Sequence, residues 1–150
     1  MNQLDDRAWM ARAIALSRLS PPVERAFSVG AVIVSADGQE VASGYSRETD
    51  LYVHAEESAL SKVAWNDPRL LEATLYSTLE PCSERKSRAL TCTQLVLQSG
   101  IRRVVIAWRE PDLFVRAGAG VEALRSEGVN VIELLDIRDE ARAVNAHLWH

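Results

Sequence analysis

The chain has 150 residues, 47% hydrophobic and 25% charged, an ordinary balance for a globular chain with one sizeable core. Its 17 Lys and Arg against 21 Asp and Glu leave a net charge of −4, and no basic cluster could neutralise several phosphates, so polymeric nucleic acid is not an expected partner. No apolar run could span a bilayer, and the polar start Met1-Asn2-Gln3-Leu4-Asp5-Asp6-Arg7 lacks the basic-then-apolar order of a signal peptide; the expectation is one cytoplasmic domain over 1–150 with no membrane partner.

Asp5 to Leu19 sets Trp9, Ile14 and Leu16 among alanines, a helix by propensity, and Pro21-Pro22 stops it. Gly30 to Ser35 is an apolar, β-branched run closed by Ala36-Asp37-Gly38, and Glu40 to Tyr45 resumes as a strand. Asp-Gly between two such runs predicts an antiparallel hairpin. Ser46 to Tyr52 is polar and reads as a loop. Ala55 to Trp65 carries helical apolar spacing through Ala55, Ala59, Leu60 and Val63, stopped by Asn66-Asp67-Pro68.

Ala73 to Leu79 is a third strand and Thr91 to Ser99 a helix with Gly100 just past its end. Arg103 to Trp108 is a fourth strand, Val121 to Glu127 a helix before Gly128, Val129 to Leu134 a fifth strand and Asp139 to Leu148 a closing helix. Strands and helices alternate after the third strand, which predicts parallel βαβ units. The fold class is therefore α/β: a five-stranded mixed sheet, antiparallel in its first hairpin and parallel later, between helical layers.

The stretch from Val53 to Cys92 carries the chemistry. His54, Cys82 and Cys92 are ligands of the kind Zn²⁺ prefers, and three protein ligands leave a fourth tetrahedral position open, the mark of a catalytic site. Glu56 is too close to His54 to share a helix face with it as a ligand, but is placed to exchange a proton with a water at that open position. His54-Ala55-Glu56 and Pro81-Cys82 match the zinc-deaminase signature, in which Glu is the general acid and base. The second cysteine departs from it: nine residues, Ser83 to Thr91, separate the pair where two are usual.

Other readings compete. The cysteines could be buried small hydrophobes or a disulfide, although nothing else in the chain points to an oxidising compartment. A closed structural zinc site would need His147 or His150 to fold back. An inactive binding module leaves Glu56 without a purpose.

The residues His54-Ala55-Glu56-Glu57, Leu79-Glu80-Pro81-Cys82-Ser83, Ala26-Phe27-Ser28-Val29-Gly30-Ala31 and Gly44-Tyr45-Ser46-Arg47-Glu48 together resemble the cytidine-deaminase-like superfamily, and most closely the pyrimidine deaminases of riboflavin biosynthesis. Gly100-Ile101-Arg102-Arg103-Val104-Val105 and Glu110-Pro111-Asp112-Leu113-Phe114-Val115 extend the likeness to most of the chain. Glu80-Pro81-Cys82-Ser83-Glu84-Arg85-Lys86-Ser87 is similar to the fungal, stand-alone type rather than the bacterial type fused to a reductase, for which this chain has no room.

The resemblance implies a three-layer α/β/α sandwich, a Zn²⁺ cofactor on His54, Cys82 and Cys92, catalysis by Glu56, and a homodimer or homotetramer whose contacts would explain apolar positions such as Leu95 to Leu97. It implies hydrolytic deamination of an aminopyrimidine bearing a ribosyl or ribityl phosphate, with cytosine, guanine or dCMP as alternative substrates. Arg47, Arg85, Lys86 and Arg88 are candidates for an anionic tail, Ser83, Ser87 and Phe27 for the substrate pocket, and the backbone N–H of Ala55 for the reacting oxygen. Trp108 is expected in the core or at a subunit interface rather than stacked on a base.

Overall fold

The computed structural model describes residues 3–83, 85, 88–109, 111 and 119–149. Five strands form one sheet: β1 (Gly30–Val34), β2 (Glu40–Tyr45), β3 (Thr74–Leu79), β4 (Arg103–Trp108) and β5 (Asn130–Glu133), in the order β2-β1-β3-β4-β5. The hairpin β1–β2 is antiparallel and turns at Gly38, as Asp-Gly predicts; β1 also runs antiparallel to β3, while β3, β4 and β5 are mutually parallel. The central strands β1 and β3 are buried along their whole length, consistent with a sheet covered on both sides.

Two glycines show which helix covers which face. A Cβ on Gly30 would meet the backbone of Ala13 and Ser17 in α1 (Gln3–Ser17), whereas one on Gly44 would meet Ala55 and Ala59 in α2 (Ala55–Ser61). Gly44 pairs with Ala31, the neighbour of Gly30, and adjacent residues of a strand point to opposite faces, so α1 and α2 lie on opposite sides of the sheet. Helix α3 (Cys92–Ser99) packs beside α2, and α4 (Gly120–Ser126) beside α3 and β5. Helix α5 (Arg138–Ala143) lies on β4, and Asp136 just before it pairs with Arg7 of α1. The expected three-layer α/β/α sandwich is thereby built, its core formed by Val32, Ile33, Leu75, Val104, Val105 and Ile106.

The closing segment differs from the expected single helix over Asp139 to Leu148. It breaks after Ala143 and resumes as one 3₁₀ turn, Ala146–Leu148. Asn145 is buried at the break, where its side-chain Oδ1 accepts from Ser28 N–H at 2.6 Å and its Nδ2 donates to Ser28 O at 3.1 Å. That two-pronged bond gives the Ser28 backbone the partner a neighbouring strand would have supplied. Helix α2 is also shorter than expected, ending at Ser61 and leaving Trp65 87% exposed beyond it.

Helix α3 does not present the apolar face expected of it. Val96 is fully buried and Leu97 packs against the core; among the described residues the large exposed apolar ones are instead Leu19, Leu51, Tyr52, Trp65, Leu71, Leu135 and Trp149. Trp108 is buried against the edge of Phe27 and the ring of Trp149, with the Arg142 guanidinium over it. Among the described residues no helix is long and apolar enough to cross a membrane.

Candidate active site

Three separate junctions deliver the three expected ligands to one point. His54 is the N-cap of α2, Cys82 follows β3 directly after Glu80-Pro81, and Cys92 is the first residue of α3. The first turn of α3 is fixed by Thr91, whose hydroxyl accepts from Gln94 N–H while the Gln94 side chain accepts from Thr91 N–H. That turn is also sewn to the other cysteine: Cys92 N–H donates to Cys82 Sγ at 3.2 Å and Thr93 N–H to Cys82 O at 3.1 Å. The Cys82 loop is held from a third side by Glu80, whose Oε2 accepts from Val121 N–H in α4 at 2.8 Å.

His54 Nδ1 lies 3.3 Å from Cys92 Sγ and 3.6 Å from Cys82 Sγ, and all three donor atoms fall within 4.8 Å of one another. Tetrahedral Zn²⁺ with its usual Zn–N and Zn–S lengths puts nitrogen and sulfur about 3.5 Å apart, so the donor set fits that ion in both chemistry and spacing. Both cysteines are free thiols, which removes the disulfide reading. The hydrogen bond from the Cys92 thiol draws Cys82 down to about 4, and that bond, together with burial and the Glu56 charge, pushes Cys92 up. His147 does not fold back to close the site; its Nε2 is 3.0 Å from Val23 O. His150 lies outside the described residues.

Glu56 is buried in the first turn of α2. Its Oε1 lies 2.5 Å from the Ser77 hydroxyl, which also sits 2.7 Å from Leu79 O. The hydroxyl has one proton for these two acceptors, so it can donate to only one at a time. Sequence reading missed Ser77. Its only signal was a hydroxyl in the otherwise apolar register of a buried strand.

The residues expected at the substrate divide. Ala55 occupies the first position of α2, its side chain fully buried; Phe27 is buried against Trp108, and Ser83 is half-buried beside Cys82. Arg47 sits in the left-handed region at φ 61, a conformation rare for a residue with a Cβ. Its guanidinium donates to Pro21 O, Phe27 O and the hydroxyls of Ser20 and Ser28, pinning the segment before β1. Arg85 bonds Glu57 and two backbone carbonyls, and Arg88 bonds Asp50. Lys86 and Ser87 lie outside the described residues.

The chain matches the profile of the cytidine and deoxycytidylate deaminase zinc-binding region over residues 3–108. It is 39% identical over 151 aligned residues to the diaminohydroxyphosphoribosylamino-pyrimidine deaminase of Schizosaccharomyces pombe, an alignment covering 98% of this chain and 37% of that protein. Among solved structures it superposes on RibD of Acinetobacter baumannii with a TM-score of 0.80 at 30% identity, over 96% of this chain and 39% of that one. It superposes on the Rib2 deaminase of Aspergillus oryzae with a TM-score of 0.74 at 25% identity, over 95% of this chain and 98% of that one.

Proposed function

This chain belongs to the family defined by the cytidine and deoxycytidylate deaminase zinc-binding region, and on that premise we propose that it is a zinc-dependent hydrolytic deaminase of a riboflavin-pathway aminopyrimidine. The observation that carries the reading is the convergence of His54, Cys82 and Cys92 beside a buried carboxylate, Glu56, that a hydroxyl orients. The substrate class follows from the relatives: the Schizosaccharomyces pombe protein is named for a diaminopyrimidine bearing a phosphoribosylamino group. An aminopyrimidine with a ribosylamino or ribitylamino 5′-phosphate is the expected ligand, its anionic tail meeting the spacer that contains Lys86, Ser87 and Arg88.

His54, Cys82 and Cys92 would hold the zinc. When bound, the ion supplies the Lewis acidity that makes water nucleophilic near neutral pH. Glu56 takes a proton from the attacking water and passes it to the ring nitrogen. The water's oxygen adds to the amino-bearing ring carbon, Glu56 carries the remaining proton to the amine, and ammonia leaves as the ring amidine becomes an amide. Ser77 suits both halves of that cycle: its hydroxyl donates to Glu56 while the carboxylate is charged, and turns to Leu79 O when Glu56 carries the proton. The backbone N–H groups of Ala55 and Cys82 are the candidate donors to the reacting oxygen. Phe27, packed edge-on against Trp108, is the candidate for an aromatic wall of the pocket.

Self-association belongs to this reading, with Trp65 and Leu71 as exposed apolar surface for a second copy; light scattering on the purified chain measures it. The decisive experiment is ammonia release by the zinc-loaded protein from phosphoribosylamino- and ribitylamino-diaminopyrimidines, beside cytosine, guanine and dCMP. Turnover should be confined to the diaminopyrimidines and should fall when the phosphate is removed. Turnover of dCMP or a free base in their place would move the chain to another branch of the family.

A further inference from the structure

Arg85 emerges from the sequence as a candidate for the substrate's anionic tail, yet its side chain is only 2% exposed. Its Nη2 donates to Tyr52 O at 2.6 Å and to Glu57 Oε1 at 2.8 Å, and its Nη1 lies 3.5 Å from Leu90 O. Tyr52 and Glu57 flank His54, and Leu90 stands two residues before Cys92, so one guanidinium grips the chain on both sides of the candidate ligand set. Glu57 completes the connection: the same Oε1 accepts from the His54 backbone N–H at 3.2 Å. A second, more exposed rung runs from Arg88 to Asp50 at 2.6 Å and to Glu57 Oε2 at 3.6 Å.

We propose that Glu57 and Arg85 form a latch that presets the metal site, holding the spacer that carries Cys92 against the segment that carries His54. The proposal rests on the zinc reading above and deepens it: Arg85 is a positioning residue, acting through the placement of Cys92, rather than a phosphate ligand. The physical need lies in the spacer. Nine residues separate Cys82 from Cys92, and a loop of that length can present its far end in many ways unless something restrains it. A buried guanidinium is tolerated only where it is paired and its remaining donors are satisfied, and Arg85 meets that condition with the carboxylate and carbonyls that border the ligands. Partners that orient metal ligands from behind commonly set affinity by 10–100-fold.

The test is the zinc dissociation constant of the full chain, measured by competition with a chromophoric chelator, for wild type, Glu57→Gln, Arg85→Gln and the double variant, with Arg69→Gln as a remote exposed control. Each single substitution should weaken zinc binding about 10–100-fold, and the double should be no weaker than the worse single, because both remove the same latch. The control should stay within about threefold of wild type. Arg85→Lys keeps a cation opposite Glu57 but loses the fork to the two carbonyls and should fall between, which covers the case of a glutamine variant that does not fold.

Singles within about threefold of wild type, or losses that add in the double variant, would overturn the latch. So would a rise in KM for the phosphorylated substrate with zinc affinity unchanged, which would return Arg85 to the substrate. Wild type that binds no zinc would sink the reading of the site and the latch with it. Wild type that binds zinc beside insensitive variants would sink the latch alone.

Discussion

Tyr76 and Ser77 are neighbours on β3, and because side chains alternate across a strand each meets a buried carboxylate from a different helix: Asp6 of α1 on one face, Glu56 of α2 on the other. Asp6 is wrapped in donors. The Tyr76 hydroxyl reaches it at 2.6 Å, and Arg103 makes a two-pronged pair at 3.0 and 2.7 Å. Glu56, buried to nearly the same degree, makes no ion pair with an Arg or Lys among the described residues and has the Ser77 hydroxyl as its one close oxygen partner. A carboxylate fixed by a guanidinium stays charged and staples a helix to the sheet. One with no guanidinium beside it can serve as a proton carrier without stranding a buried cation. On the proposed mechanism the same strand supports a structural acid and a chemical one through two adjacent residues.

The comparison breaks most sharply at Glu56. Glu56→Gln should lower kcat about a thousandfold while zinc content and melting temperature hold; retained turnover on every tested aminopyrimidine would end the assignment. The converse change, Asp6→Ala, strands Arg103 and the Tyr76 hydroxyl. It should cost about 3 kcal/mol of stability, with kcat of the remaining folded enzyme unchanged. A loss of kcat without a loss of stability would erase the distinction between the two acids.

Ser77→Ala probes the weaker partner and should cost about tenfold in kcat, close to the worth of one hydrogen bond to a charged group, with KM and zinc affinity little altered. The smallest effect is acid sensitivity. Burial pushes the Asp6 carboxyl up, but the hydrogen bonds from Arg103 and Tyr76 outweigh it and hold its pKa below the usual carboxylate range. A folded pKa below the unfolded one gives stability that is present above about pH 4 and is lost as pH falls further. Denaturant titrations of wild type and Asp6→Ala should therefore converge as pH drops below about 4; a gap that stays constant would mean that Asp6 is not held charged.

His54, Glu56, Cys82 and Cys92 could be read from the sequence because ligand chemistry restricts residue type, and the helix start after His54 and the strand end before Cys82 are local patterns. The five strands were legible for the same reason: alternation, β-branching and the Asp37-Gly38 turn act over a few residues, as does Gly100, which stands at φ 85 just past α3. The fate of the cations was not legible. Arg47 and Arg85 look alike as candidate anion binders, yet one holds the segment before β1 and the other bridges Tyr52, Glu57 and Leu90. Which acceptor a guanidinium meets depends on chain segments tens of residues away.

What the sequence by itself determined is the set of chemically competent groups and the periodicity of the elements that carry them. Tertiary structure alone decided the strand order β2-β1-β3-β4-β5, the break at Asn145, the place of Ser77 behind Glu56 and the pairing of Glu57 with Arg85. The reason is physical. Periodicity and turn chemistry are set by neighbouring dihedral angles, whereas a buried polar group takes its partner from whatever the packed chain brings within about 3 Å, and leaving it without one is too costly for the fold to allow.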